Sequence, residues 1–319
     1  MKRQLTVALI YDFDGTLAPG NMQEYSFIEE LRMTPKEFWD KSTKLSKEHD
    51  ASGILCYMKS MLDEARRAGI PIKRESFVQF GKKVELFNGV KEWFSLINKA
   101  GKEIGLNIEH YINSSGLKEM IEGTPIAKEF KNIYACSFIY DNNGIATWPA
   151  IAVDYTAKTQ FIFKINKGIK EVSDNKKINE YVPEEDRPIP FKRMIYFGDG
   201  ETDIPCMKMV KANGGYSIAV YKPKDKGKRK IAEKLILDNR VNFVCQADYR
   251  DSQDIYKVVT TILEKIKRDY EFEELQKKHL KSARKNNTKN KSICRLGILC
   301  KWLALFVIKI ALFLKLKHQ

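Results

Sequence analysis

The sequence lacks several features that would otherwise direct its reading. Its six cysteines (56, 136, 206, 245, 294 and 300) form no C-x-x-C pair and flank no histidine cluster. That pattern excludes a zinc module and a disulfide framework, and leaves reduced thiols. No acidic residue occurs after Glu274, while twelve Lys or Arg lie between Lys277 and Lys317. Twelve of the fifteen net positive charges therefore sit in the last 43 residues and leave the body at +3, so the overall charge is no signal for nucleic acid. The basic run at 223–230, PKDKGKRK, has no interleaved aromatics, so it reads as a solvated loop and helix start with no specific nucleic-acid partner expected. Residues 1–15, MKRQLTVALIYDFDG, offer too short an apolar core for a secretory leader and no small-residue cleavage site. There is no internal repeat.

What the sequence does contain is a series of short apolar runs, most of them ending at a Gly, Asp or Asn: 5–11, 108–113, 194–198, 216–221 and 241–247. Runs apolar on both faces, alternating with helical patterns, predict an α/β fold with a doubly wound parallel sheet. The segment 132–148 differs, because Asp141-Asn142-Asn143-Gly144 between two β-rich runs predicts a hairpin. No strand pattern occurs between 18 and 88. There Thr34-Pro35-Lys36-Glu37 is a capping box with proline at the first helical position, and further helical patterns follow it. At 319 residues a catalytic domain with a smaller accessory domain is expected.

Two acidic clusters carry the chemistry. The first strand runs into Asp12-Phe13-Asp14-Gly15-Thr16, at the sheet edge where ligands of doubly wound folds bind. Two carboxylates two residues apart can divide labour between attack or metal binding and proton transfer, although Asp and Gly also favour strand-ending turns on their own account. A later strand ends in Gly198-Asp199-Gly200-Glu201-Thr202-Asp203, and placing it beside the first would bring Asp199 near Asp12. Several carboxylate oxygens together suit Mg²⁺. Thr202 and Asp203 would equally serve as helix-start residues.

DFDGT followed by GDGETD resembles the first and fourth motifs of the haloacid dehalogenase (HAD) superfamily, in its phosphoserine-phosphatase-like branch. The resemblance implies a phosphate-binding Ser or Thr after a middle strand, matched by Ser114 or less well by Ser115, although both also precede LKEMIEG and could cap that helix. It also implies a lysine before the fourth motif, matched by Lys158 in the first turn of a helix expected from Ala157 to Lys167 with Gly168 as its stop. A lysine there opposes the helix dipole, a local conflict expected where function overrides stability. Carried over, the family mechanism makes Asp12 the nucleophile of an aspartyl-phosphate and Asp14 the general acid and base. Mg²⁺ would be held by Asp12, the Asp14 carbonyl and Asp199, with Asp203 orienting Lys158 or the metal shell. Ser114, Ser115, Gly15 and Lys158 would hold the phosphoryl group of a small phosphorylated metabolite. Asp14 separates this phosphatase pattern from the dehalogenases and transport ATPases of the group.

The same resemblance assigns 1–17 and 89–265 to a Rossmann-like core and 18–88 to a small helical cap, in which Arg32, Arg66, Arg67 and Arg74 are candidates to contact an anionic substrate. Residues 266–295 read as a basic linker, with a polar stretch from 277 that cannot fold alone, and 296–317 as an apolar, amphipathic C-terminal helix. Its stretch 296–314 is long enough to span a bilayer, but Lys301 and Lys309 interrupt it, at a cost of about 2.5–3.5 kcal/mol for a mid-span lysine. Lys301, Lys309 and Lys315 share one broad helical face, which favours a helix lying on an anionic membrane surface over a span or packing on a partner subunit. The expectation is a cytoplasmic enzyme held peripherally or by its tail at the inner membrane face. A competing reading is a catalytically degenerate scaffold that binds membrane or nucleic acid through the tail, but intact Asp12, Asp14, Lys158 and Asp199 argue against it. Truncation at Asn290 is expected to abolish co-sedimentation with anionic liposomes, and unchanged binding would count against membrane attachment.

Overall fold

The computed structural model describes residues 5–316, with the side chains at 175, 286 and beyond 287 outside the description. It divides into two units, Met1–Ile266 and Lys267–Gln319. The first is built on a seven-stranded sheet: β1 (Leu5–Tyr11), β2 (Leu106–Leu117), β3 (Phe130–Tyr140), β4 (Ala146–Ile151), β5 (Met194–Gly198), β6 (Tyr216–Tyr221) and β7 (Phe243–Gln246). Their order is β4-β3-β2-β1-β5-β6-β7, parallel except for the β3–β4 hairpin. The chain winds outward from β1 through β2 and β3, then returns to the other side of β1 with β5. Connections diverge at the β1–β5 boundary, which opens a crevice at the carboxyl ends of those two strands.

β1 and β5 are buried almost throughout, as the unbroken apolar runs require. Helix Val90–Glu103 packs against this centre with Trp93 and Phe94, both fully buried. Fully burying such a side chain contributes about 1.5–3 kcal/mol. One polar chain threads the core. Trp93 Nε1 donates to the Tyr11 hydroxyl at 2.9 Å, which lies 3.1 Å from His110 Nδ1, and His110 Nε2 lies 3.0 Å from Asn98 Oδ1. The proton assignment that satisfies every partner has Tyr11 donating to Nδ1 and Nε2–H donating to Asn98.

Strands β1, β5 and β6 keep the bounds read from sequence, whereas β7 is shorter and β2 runs on to Leu117. That extension keeps Ser114 and Ser115 within the strand. The following helix starts only at Lys118, so neither serine caps it. The 18–88 segment is helical, its longer helices being Pro35–Glu48, Gly53–Ala68 and Arg74–Gly81. Thr34 and Glu37 form the reciprocal capping box, with Glu37 N donating to Thr34 Oγ1 at 3.2 Å and Thr34 N to Glu37 Oε2 at 2.8 Å. The insert is tied to the β3–β4 hairpin by Arg74 N donating to Gly144 O (3.0 Å), Ala146 N to Ile72 O (2.9 Å) and stacking of Phe77 on Phe138. A Cβ on Gly81 would lie 1.9 Å from Met120 O and one on Gly123 1.9 Å from Val78 O, so only glycine permits this close crossing of helices Arg74–Gly81 and Lys118–Gly123.

Helix Asp254–Leu316 supplies most of the second unit, so the basic linker expected over 266–295 is helical. Spaced charge pairs such as Arg268–Glu271 (3.1 Å) and Lys277–Glu274 (3.0 Å) support it. Among the described residues no helix is long and apolar enough to cross a membrane. The side chains of 296–317, on which the membrane-bound helix turns, lie outside the described residues.

Burial holds His110 neutral in the fold by pushing its pKa down to about 3. The unfolded chain binds a proton there below about pH 6.5, so this contribution to stability is complete above that pH and is lost as pH falls toward the folded value. Between pH 7 and pH 5, His110→Gln is expected to lose about 2 kcal/mol less unfolding free energy than the wild type. Parallel urea-denaturation curves at the two pH values for both proteins would refute this.

Candidate active site

The parallel register of β1 and β5 pairs Tyr11 with Phe197, and Asp12 N donates to Phe197 O at 2.9 Å. The residues just beyond the two strands are therefore forced together. Asp12, Asp199 and Asp203 each offer a carboxylate oxygen, and these oxygens lie within 4.8 Å of one another. Gly15 closes the first loop at φ +78°, and a Cβ there would stand 2.3 Å from Asp199 Oδ2, so both its backbone and its place against the second acidic loop require glycine.

Lys158 stands in the first turn of helix Ala157–Lys167, which ends on Gly168 in the left-handed region, as read from sequence. It is wholly buried, with Nζ 3.0 Å from Asp12 Oδ1 and 2.7 Å from Asp203 Oδ1. Burial works to lower its pKa, but the charges of Asp12 and Asp203 prevail and raise it, so the ammonium stays charged. Asp203 Oδ1 also accepts from the Tyr196 hydroxyl at 2.8 Å, while Oδ2 is buried without a hydrogen-bond partner among the described residues. Burial and the Asp12 charge push the Asp203 carboxyl up.

Asp14 accepts from Met22 N at 3.0 Å. Burial first, then the charges of Asp12 and Asp199, hold its carboxyl well above the ordinary range, which favours the protonated form. Asp199 is raised by burial and by Asp12, and its Oδ2 accepts from Lys228 Nζ at 3.0 Å.

These groups open on a cavity of about 470 Å³. The sheet lines it with Asp12, Asp14, Gly15, Ser114, Ser115, Asp199 and Thr202, and the helical insert with Gln23, Glu24, Trp39, Ile54 and Tyr57, among others. Ser114 Oγ accepts from Gly116 N at 3.1 Å, whereas the buried Ser115 hydroxyl has no partner among the described residues. Lys158 and Asp203 do not line the cavity; they stand behind Asp12. Four carboxyl groups face two ammonium groups here, all metal-capable donors are oxygen, and Asp203 Oδ2 is left without a partner. This set fits a hard divalent cation.

Every site residue expected from sequence thus gathers at one rim of the sheet, six of them on the cavity and two behind it. The four arginines do not. Arg66 and Arg67 pair with Asp63 (3.7 Å) and Glu64 (2.6 Å), Arg74 pairs with Glu122, and neither these nor the exposed Arg32 line the cavity. Arg66, Arg67 and Arg74 are taken up by acidic partners. Lys228 is the opposite case. The run at 223–230 read as solvated, yet Asp225 caps helix Lys226–Leu237 by accepting from Lys228 N, and the Lys228 side chain reaches Asp199. The signal was positional, because the run directly follows β6, whose carboxyl end lies on the same rim as that of β5. Tyr196 and Tyr57 gave no sequence signal, since each looks like a core aromatic until its hydroxyl finds Asp203 or the Ser115 carbonyl.

A doubly wound sheet with two acidic strand-end loops meeting over a buried lysine defines the class, a hydrolytic α/β fold. The chain belongs to the haloacid dehalogenase-like hydrolase family, whose profile matches residues 9–208. A protein of Borreliella burgdorferi, described only as an uncharacterized protein, is 32% identical over 292 residues, covering 83% of this chain and 98% of its own. Among solved structures, a substrate-bound phosphoserine phosphatase is similar with a TM-score of 0.51 at 15% identity, over 81% of this chain and 99% of that one. A HAD family hydrolase of Salmonella enterica serovar Typhi gives 0.50 at 13% identity, over 82% and 73%. At such identities the two structures attest the fold.

Gly15→Ala is expected to lower the unfolding free energy by about 1–3 kcal/mol, because it strains the left-handed turn and drives the Asp199 carboxylate aside. A urea midpoint equal to that of the wild type would show that the loop tolerates a side chain.

Proposed function

We propose that this protein is a Mg²⁺-dependent phosphatase that hydrolyses a phosphate monoester through an aspartyl-phosphate on Asp12. The observation that carries the reading is the Asp12 carboxylate itself, held at a strand end by the buried Lys158 ammonium and facing the cavity two residues from a carboxyl that favours its proton. In this reading an Asp12 carboxylate oxygen attacks phosphorus in line, the ester P–O bond breaks, and Asp14 gives its proton to the departing alcohol oxygen. Water then attacks phosphorus and returns a proton to Asp14, the P–O bond to Asp12 breaks, and inorganic phosphate leaves with the carboxylate restored. Lys158 fixes the orientation of Asp12 and offsets its charge when a second anion approaches, and Asp203 with Tyr196 holds Lys158 in place. Ser114 and Ser115 present hydroxyls to the phosphoryl oxygens. Asp12, the Asp14 carbonyl and Asp199, with Asp203 beside them, would hold Mg²⁺, which when bound supplies positive charge for the phosphoryl oxygens.

The basic, apolar C-terminal segment supports attachment of the enzyme to an anionic membrane surface through residues 277–317.

Hydrolysis of an aryl phosphate by the full chain is expected to require Mg²⁺ and to fall to background in Asp12→Asn. Asp14→Asn is expected to lower kcat by about 10²–10⁴-fold on alkyl esters, whose poor leaving groups need the proton. Equal rates for the wild type and Asp12→Asn would remove the phosphatase reading.

A further inference from the structure

The insert wall of the cavity is a set of hydrogen-bond acceptors and aromatic faces without a cation. Glu24 Oε1 accepts from both Asn21 Nδ2 and Trp39 Nε1, each at 2.7 Å, while Oε2 receives no hydrogen bond among the described residues. Two donors thus lock a carboxylate in place and leave one oxygen uncommitted on the cavity wall. The Trp39 ring stands edge-on to Tyr57, centroids 5.9 Å apart, and Tyr57 donates to the Ser115 carbonyl at 2.7 Å. The aromatic pair is thereby anchored to the strand end where the phosphoryl group would sit. Gln23 adds a buried amide oxygen that accepts nothing.

A carboxylate oxygen and an amide oxygen without donors, beside two aromatic rings, are complementary to an alkylammonium group. A neutral sugar would leave the Glu24 charge partly desolvated and unpaired, and a second anionic group against the insert wall would meet it with repulsion, since the two lysines on the cavity, Lys222 and Lys228, both belong to the sheet side. We propose that the substrate is the phosphate ester of an amino alcohol, with its ammonium group seated between Glu24, Trp39 and Tyr57. This rests on the phosphatase reading. The products are then the free amino alcohol, whose oxygen keeps its carbon bond and gains a proton, and inorganic phosphate, which takes its new oxygen from water.

The test compares kcat/KM of the full chain with Mg²⁺ on phosphoethanolamine, phosphocholine, phosphoserine, glycerol 3-phosphate and p-nitrophenyl phosphate. Phosphoethanolamine or phosphocholine is expected to exceed glycerol 3-phosphate by about ten-fold or more, with phosphoserine below both. A primary ammonium that uses Glu24 as acceptor places phosphoethanolamine first, and one held mainly by the rings places phosphocholine first. Glu24→Gln keeps an oxygen for Asn21 and Trp39 but removes the charge. It is expected to reduce the ratio of cationic to neutral ester by about ten-fold, chiefly through KM, and Trp39→Leu to reduce it in the same sense. A wild-type ratio near one, a phosphoserine rate above both, or a ratio unmoved by Glu24→Gln would overturn the assignment while leaving the phosphatase reading intact, provided the aryl phosphate is hydrolysed. Failure to hydrolyse any of the five esters would remove both.

Discussion

Three aspartates cannot be gathered at one strand edge, largely out of water, unless a cation shares the site. In this protein Lys158 supplies it. Its ammonium is fully buried between Asp12 and Asp203, where an unpaired charge of either sign would be costly. The arrangement is only as good as the register that brings β1 and β5 side by side, because Asp12 follows one strand directly and Asp199 and Asp203 follow the other. The buried aromatic layer around Tyr11, Phe94, Trp93 and Phe197 holds that register, so the polar site draws its geometry from apolar packing beneath it.

The same charges that assemble the site also set its proton chemistry. Asp12 accepts directly from an ammonium, whereas among the described residues Asp14 has the Met22 backbone amide as its donor and lies near two other carboxylates. Two acids two residues apart thus stand in different surroundings, Asp12 in contact with an ammonium and Asp14 held toward its protonated form by burial and neighbouring carboxylates. A glycine between the acidic loops is the steric condition for this division, since any side chain at position 15 would enter the space of the Asp199 carboxylate.

How much of this could be read from sequence depended on whether the cause was local. Strand bounds at β1, β5 and β6, the hairpin turn at 141–144, the Thr34 capping box and the Gly168 helix stop all follow from neighbouring residues, and the structure has them where the pattern puts them. The convergence of Asp12 and Asp199 was legible because two strand-ending motifs imply one rim, and that of Lys158 only through the family resemblance. Features that depend on how separate helices pack were not legible. Arg74 was one of four arginines open to either substrate contact or ordinary solvation and pairs instead with Glu122, and Lys228 looked solvated until the helix capped by Asp225 aimed it at Asp199. Glu24, Trp39 and Tyr57 lie on three separate helical segments, and no local pattern announces that they meet.

The two walls of the cavity are built by different physics, and this separates what each can determine. On the sheet side, backbone register and a buried ion pair fix each carboxylate, so those positions cannot change without disturbing the core. On the insert side, position is set by side-chain hydrogen bonds from Asn21 and Trp39 to Glu24 and from Tyr57 to the strand end, over a helical scaffold anchored at the β3–β4 hairpin. The strand-end groups are therefore placed by the fold itself and the insert wall by its own side chains, and the two meet where the Tyr57 hydroxyl donates to the Ser115 carbonyl and the Met22 amide to Asp14.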